Sequence, residues 1–270
     1  MLNDAPASDA QRLMKTSEPI TPILIEWFRK ARRDLPWRRT RDPYRVWISE
    51  VMLQQTRVET VIPYYERFVA RFPELADLAR AEEDEVLASW SGLGYYRRAR
   101  SLLAGAKAIR AEHGGCFPRS FEAALRVPGV GRYTAAAVLS IAYDLPHAVV
   151  DGNVERVVSR LLRIEGDPKR GEAARAIRRA VDRWIPDSSP GDFNQALMEL
   201  GATICTPSSP ACDRCVLAAH CAARREGDVD RFPQSAPRRA PIDVRLEAGL
   251  LWRDGKWLIS RPSTLPFLRG

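Results

Sequence analysis

The sequence predicts an all-α body followed by a β-hairpin, and three observations carry this. Apolar residues recur at helical spacing in one short segment after another. No convincing alternation of apolar and polar residues appears before residue 240. Asp254-Gly255 stands between two apolar runs. A helical stripe repeats every three to four residues and a half-buried strand every second one, so the patterns are separable over such lengths. In order, residues 1–18 read as a flexible leader. A helix starts near Thr21-Pro22, with Pro22 in a first turn where its missing N–H costs nothing, and Ile23, Leu24, Trp27 and Phe28 form its stripe. Leu35-Pro36-Trp37 and Asp42-Pro43 punctuate a loop. From Val46 to Asp144 short helices succeed one another. One carries Val58, Val61, Ile62, Tyr65 and Phe68; the next carries Val86, Leu87 and Trp90, ended by Gly92 and Gly94. A third carries Leu102, Leu103, Ala106 and Ile109, ended by Gly114-Gly115. A stretch rich in Arg, Asp and Pro reads as a linker over 226–240. Asp-Gly between the apolar runs then signals a hairpin turn. A lone hairpin is marginally stable in water, so 241–270 reads as the first fragment of a β-containing domain.

Composition narrows the function. Of 270 residues, 45% are hydrophobic and 28% charged, a globular balance with enough apolar surface to oppose chain entropy. The net charge of +8 favours a polyanionic partner, nucleic acid first. The first 18 residues contain Asp4, Asp9 and Glu18 and lack an apolar core, which excludes a signal peptide there. The longest small-and-apolar stretch, around 135–143, is too short to span a bilayer. The expected location is a reducing cytoplasm, where five cysteines suit metal ligands or free thiols better than disulfides.

Four of those cysteines, Cys205, Cys212, Cys215 and Cys221, fall in one loop with the spacing C-x6-C-x2-C-x5-C. Structural zinc usually shows two C-x2-C knuckles, and only one is present, so the uneven spacing suits a [4Fe–4S] cluster better. Cys116 stands apart and reads as a free thiol. Val127-Pro128-Gly129-Val130-Gly131-Arg132 joins two helical segments. Gly129 and Gly131 let the backbone turn tightly, and the N–H groups that open the next helix can bind a phosphate. The segment reads equally as a helix-hairpin-helix clamp on DNA or as a plain interhelical turn.

Two carboxylates complete the set. Glu50 shares a helix face with Val46, Trp47 and Leu53. Desolvation there raises a carboxyl pKa and suits it to give a proton, whereas a surface Glu would be the ordinary reading. Asp151 precedes the stripe Val154, Val157, Val158, Leu161 and Leu162, where it serves as a helix N-cap. A neutral Glu beside an ionised Asp is the pair that breaks a glycosidic bond.

Together the hairpin, an Asp 20 residues after its second glycine and the four-cysteine loop resemble the endonuclease III-like DNA glycosylases. Leu35-Pro36-Trp37-Arg38, residues 49–56, Gly92-Leu93-Gly94-Tyr95-Tyr96 and Val150-Asp151-Gly152-Asn153-Val154 are similar to the A/G-specific adenine glycosylases of the MutY type. The resemblance covers residues 20–225. It implies a two-lobed helix-hairpin-helix fold with a [4Fe–4S] loop: a helical barrel over 35–140 and a cluster lobe from 19–34 and 141–225. It implies that Glu50 protonates adenine, Asp151 stabilises the cationic sugar and Asn153 supports it. Tyr133 stands where bifunctional relatives carry a Schiff-base lysine, so the enzyme should be monofunctional. Gln55 and Tyr95 would wedge into the base stack, Leu35, Trp37, Arg38 and Met198 would surround the flipped base, and Gly129, Val130 and Gly131 would clamp a phosphate. The resemblance also implies a monomer whose partner is duplex DNA with adenine opposite 8-oxoguanine or guanine. Residues 241–270 would open a Nudix-like domain that is otherwise missing. The rivals are an oxidised-pyrimidine glycosylase with lyase activity and a non-catalytic iron–sulfur DNA-binding protein.

Overall fold

The computed structural model describes residues 20–234, Arg245 and residues 252–257. Residues 1–18, read as a leader, lie outside the described residues, as does most of 241–270. The chain divides into two units at residue 235.

Among its described residues the first unit is built of helices joined by loops, with no strand. Its helices are α1 (Ile20–Ala31), α2 (Pro43–Leu53), α3 (Val58–Arg71), α4 (Leu75–Arg80), α5 (Glu83–Trp90), α6 (Arg97–Glu112), α7 (Phe121–Arg126), α8 (Arg132–Tyr143), α9 (Gly152–Leu162), α10 (Gly171–Trp184), α11 (Pro190–Thr203) and α12 (Ala222–Arg225). No helix among the described residues is long and apolar enough to cross a membrane. Local chemistry sets the helix starts that matter for the site. Asp42 caps α2 by accepting from Tyr44 N, and Pro43 occupies the first turn. Asp151 caps α9 in the same way, through Val154 N.

Buried side chains form two cores. One gathers Trp37, Trp47, Phe68, Phe72, Trp90, Phe117 and Leu139 from the segment between the end of α1 and α8. The other gathers Leu24 and Phe28 of α1 with Val157, Leu161, Trp184, Phe193 and Leu197 of α9 to α11. Helix α11 packs on α1, α9 and α8 and so touches both. Two glycines permit this approach. A Cβ on Gly191 would lie 2.5 Å from Ser140 O, and one on Gly201 would lie 2.6 Å from Asn153 Cβ. Asn194 of α11 fastens the stretch before α9. Its Nδ2 donates to Ser140 Oγ and His147 O, and its Oδ1 accepts from Val149 N.

One boundary read from composition changes. The expected linker begins at 226, yet residues 226–234 are fastened to the helical unit. Phe232 is 1% exposed, its carbonyl accepts from Arg160 Nε, Asp228 pairs with Arg163, and Gln234 accepts from Gly166 N. A polar composition hides one buried aromatic and two fixed ion and hydrogen-bond partners.

In the second unit, strands β1 (Trp252–Arg253) and β2 (Lys256–Trp257) pair antiparallel, Trp252 opposite Trp257. Asp254 and Gly255 both have positive φ, 51° and 75°, as a two-residue type I′ turn requires.

Candidate active site

A cleft of about 830 Å³ opens in the helical unit, and it receives side chains from both cores. Glu50 comes from the middle of α2, Tyr133 from the first turn of α8, and Asp151 and Asn153 from the start of α9. Leu35, Trp37, Arg38, Gln55, Gly129, Gly131 and Met198 also line it. Val130 is a buried residue of the hairpin and Tyr95 stands 58% exposed, both outside the lining.

Glu50 is only 6% exposed. Burial pushes its pKa up to about 7; the Tyr133 hydrogen bond opposes this, the charge of Asp151 adds to it, and Arg38 opposes it. Tyr133 Oη donates to Glu50 Oε2 at 2.7 Å and lies 3.6 Å from Met198 Sδ. Its own pKa is driven well above the usual value, first by burial and then by Glu50. The site therefore holds a carboxyl group that can carry a proton near neutral pH.

Asp151 is arranged differently. Its Oδ1 accepts from Val154 N at 2.8 Å and its Oδ2 from Asn153 Nδ2 at 2.9 Å. Asn153 Oδ1 in turn accepts from Arg156 Nη2 at 2.8 Å. The same guanidinium donates to Gly201 O and Cys205 O. A directional chain of donors thus runs from Arg156 through Asn153 to Asp151.

Sequence reasoning missed Glu199, Arg33, Arg156 and Arg160. Glu199 is 1% exposed and accepts from Arg33 Nε and Nη2 and from Arg38 Nη2, all within 2.9 Å. Burial would raise its pKa, but the two arginines outweigh it and hold the carboxyl down to about 2. This anchor, with the Phe28 ring 5.2 Å from its guanidinium, fixes Arg38 in the cleft wall. The available signal was a glutamate among apolar residues of one helix, Ala196-Leu197-Met198-Glu199-Leu200. No local pattern joins residues 161 and 166 positions apart.

The four cysteines of the loop line one small cavity with Arg160 of α9. No group of three or more His, Cys, Asp or Glu among the described residues is placed to hold a single metal ion. Four cysteine thiols lining one cavity are the donor set that an iron–sulfur cluster takes. Burial raises the Cys212, Cys215 and Cys221 thiols, Cys215 to about 11. Bare thiolates are thus penalised here and need the positive charge that iron supplies. Arg160 Nη1 donates to Cys205 Sγ at 3.4 Å and to Thr206 O, so α9 carries the Asp151 cap at one end and grips the cysteine loop one turn past Arg156. Cys116 is exposed and belongs to neither site.

Comparison with known proteins agrees with this geometry. A family model described as HhH-GPD superfamily base excision DNA repair protein matches residues 48–183, half of the chain, and the chain belongs to that family. A second, described as the iron–sulfur binding domain of endonuclease III, matches residues 205–221, the cysteine loop. The loop is an iron–sulfur binding domain, consistent with a [4Fe–4S] cluster, and Cys205, Cys212, Cys215 and Cys221 are the residues that would hold it. More particularly, the chain is 46% identical over 224 residues to the adenine DNA glycosylase of Rattus norvegicus, covering 78% of this chain and 43% of that protein. The chain thus spans less than half of that relative's length. Among solved structures it is similar to a thermostable thymine-DNA glycosylase, with TM-score 0.70, 30% identity, and coverage of 78% of this chain and 98% of that one. An endonuclease III trapped covalently on DNA shares the fold, with TM-score 0.65, 23% identity, and coverage of 81% and 98%.

One prediction arises from the loop. Cys212→Ser or Cys215→Ser removes one of four ligands. The purified protein is expected to lose iron and acid-labile sulfide and to melt at lower temperature, because cluster binding is part of folding free energy. Iron and sulfide analysis beside thermal melting checks it; unchanged iron content in both variants would remove these cysteines from the ligand set.

Proposed function

We propose that this chain is a monofunctional DNA glycosylase that removes adenine placed opposite guanine or 8-oxoguanine in duplex DNA. The observation that carries the reading is Glu50, a buried carboxyl group poised near neutrality in the same cleft as the hydrogen-bonded Asp151. The likeness to adenine DNA glycosylases supports the choice of base. Phosphate contacts hold the duplex and the target nucleotide leaves the stack. Leu35, Trp37, Arg38 and Met198 surround the base. Glu50 gives its proton to an adenine ring nitrogen, and the bond from the sugar to the base breaks with its electron pair on adenine. Asp151 faces the cationic sugar, held by Asn153. A water molecule adds its oxygen to that carbon and releases a proton, leaving an abasic site. The two cores then correspond to a barrel lobe over 35–140 and a cluster lobe from 19–34 and 141–225, with the cleft between them. The hairpin at 252–257 serves as the opening of a Nudix-like domain.

Tyr133 supplies a phenol where an imine-forming amine would be needed, and no lysine among the described residues lines the cleft. The decisive experiment incubates the protein with duplexes containing A:G, A:8-oxoguanine or A:T, with and without alkali. Strand breaks that need alkali, at the first two duplexes, are expected. Breaks without alkali would favour the bifunctional rival, and none at all a binding protein.

The clamp yields another prediction, and Gly131 is the residue to use. Gly129 has φ 79°, and a Cβ there would lie 2.6 Å from Ser101 Cβ, so its freedom is spent inside the protein. Gly131 caps α8 at φ −91°, with open space where a side chain would go. Gly131→Val is therefore expected to fold normally and to bind DNA about tenfold less tightly by keeping phosphate away. The salt dependence should hardly change, since each lost cation, not each lost amide, alters the slope by about 0.9. Fluorescence titration at several salt concentrations checks this; unaltered affinity would make the hairpin a structural turn only.

A further inference from the structure

Arg98 is a buried cation that the chemistry above does not use. It lies in the first turns of α6 and is 9% exposed. Its Nη1 donates to the carbonyls of Val51 (3.1 Å), Met52 (2.8 Å) and Gln54, and its Nη2 to Thr56 Oγ1 (3.1 Å) and Gly94 O (3.3 Å). The guanidinium sits 5.1 Å from the Tyr95 ring and 5.5 Å from the Trp90 ring.

Two of those acceptors matter by position. Gln54 O and Gly94 O each belong to the peptide immediately before a residue in the left-handed region, Gln55 at φ 57° and Tyr95 at φ 50°. Side chains other than glycine are strained there, and the conformation persists only where the surroundings over-determine it. One guanidinium fixes both peptides. The two loops come from distant parts of the sequence, and Tyr95 is carried out to solvent although it is a large aromatic. A planar fork of five donors can serve two loops at once, which a lysine ammonium cannot.

We propose that Arg98 is a positioning residue that presets Gln55 and Tyr95 as a rigid pair for insertion into the base stack, by locking from one guanidinium the two left-handed peptides that carry them. The proposal rests on the glycosylase reading. Entry of the pair opens the stack, so Arg98 should act on base extrusion and leave bond cleavage alone.

The test uses the whole chain and Arg98→Gln, with Arg98→Lys as a second variant should the first not fold. Single-turnover excision is measured on an A:G duplex and on a duplex with adenine opposite an abasic site, where the target is already unpaired. Unstacking is followed by 2-aminopurine beside the target. Misplacing the pair should cost about 10- to 100-fold on A:G and abolish the fluorescence rise. On the unpaired adenine the loss should stay within about twofold, because extrusion there is nearly free. The pH dependence of the rate should keep its midpoint. Combining Arg98→Lys with Tyr95→Ala should be no worse than the more damaging single change, since both remove one step. Equal losses on both duplexes, a shifted midpoint or additive double-variant losses would overturn the proposal; the first two would make Arg98 a support of the Glu50 helix through Val51 and Met52. If the unaltered protein released no adenine from any duplex, the glycosylase reading would fail instead.

Discussion

Replacing Glu50 by Gln is expected to abolish adenine excision while leaving DNA binding within a few-fold of normal. The substitution keeps the shape of the side chain, and its Oε1 can still accept from Tyr133 Oη where Glu50 Oε2 does at 2.7 Å. It removes the proton. A general acid contributes about a hundredfold to ten-thousandfold, and more where no other donor is available. Tyr133 cannot replace it, because burial and the nearby carboxyls make its proton harder to release. The same residue sets the pH profile. With the Glu50 pKa raised by burial to about 7, the acid form that the reaction needs is lost above that pH, and the rate should fall about tenfold per unit on the alkaline side. Stability follows the same group. A carboxyl whose pKa is raised on folding contributes stability that is complete below its ordinary value of 4.5 and is lost as pH rises through about 7. Glu50→Gln should therefore flatten the stability profile between those limits while removing activity at every pH. Single-turnover rates, binding isotherms and thermal melts from pH 4 to 9 measure all three, and a Gln variant retaining near-normal excision would exclude Glu50 as the acid.

Which parts of this site could be read from sequence depends on how local their physics is. Helix stripes, the Asp151 cap and the apolar neighbours of Glu50 act over three or four positions, and each stands in the chain as a pattern. The cysteine spacing is likewise local. The contacts that make these groups a site are not. Tyr133 meets Glu50 across 83 positions, and Arg33 meets Glu199 across 166. Arginine hides best, because its long stem and charged end give it the sequence signature of a surface residue wherever it lies. Arg98, Arg156 and Arg160 are each spent on carbonyls at a helix end or a loop. Such carbonyl acceptors are present at every residue and leave no mark in the sequence. The misplaced linker boundary has the same origin: Arg163 and Arg160 hold residues whose composition alone suggests a free segment.

Asp151→Asn is the second change with a large expected effect, and the donor chain from Arg156 makes its consequences specific. Asp151 accepts at both oxygens, from Val154 N and from Asn153 Nδ2. An asparagine has only one oxygen. If that oxygen keeps the helix cap, which Asn serves about as well as Asp, its NH2 group faces the NH2 group of Asn153. Turning Asn153 over does not help, because its Oδ1 is committed to Arg156 Nη2 and its NH2 would then face the guanidinium. One donor must go unsatisfied, at a cost of about 1–3 kcal/mol. For a helical unit of this size each kcal/mol lowers the melting temperature by about 2–4 °C, so a fall of several degrees is expected. That loss leaves nearly all molecules folded at 25 °C, since domains of this kind have about 5–15 kcal/mol to spare. Excision should nevertheless fall about a hundredfold to a thousandfold or more, the usual cost of removing a preorganised electrostatic partner of a developing charge. Asn153→Ala provides the comparison. It also breaks the donor chain and should melt lower, but it keeps the carboxylate and should lose far less rate. Melting curves and single-turnover rates of the two variants separate charge from structure. Similar rate losses in both would mean that Asp151 acts by organising the start of α9 and not by facing the cationic sugar.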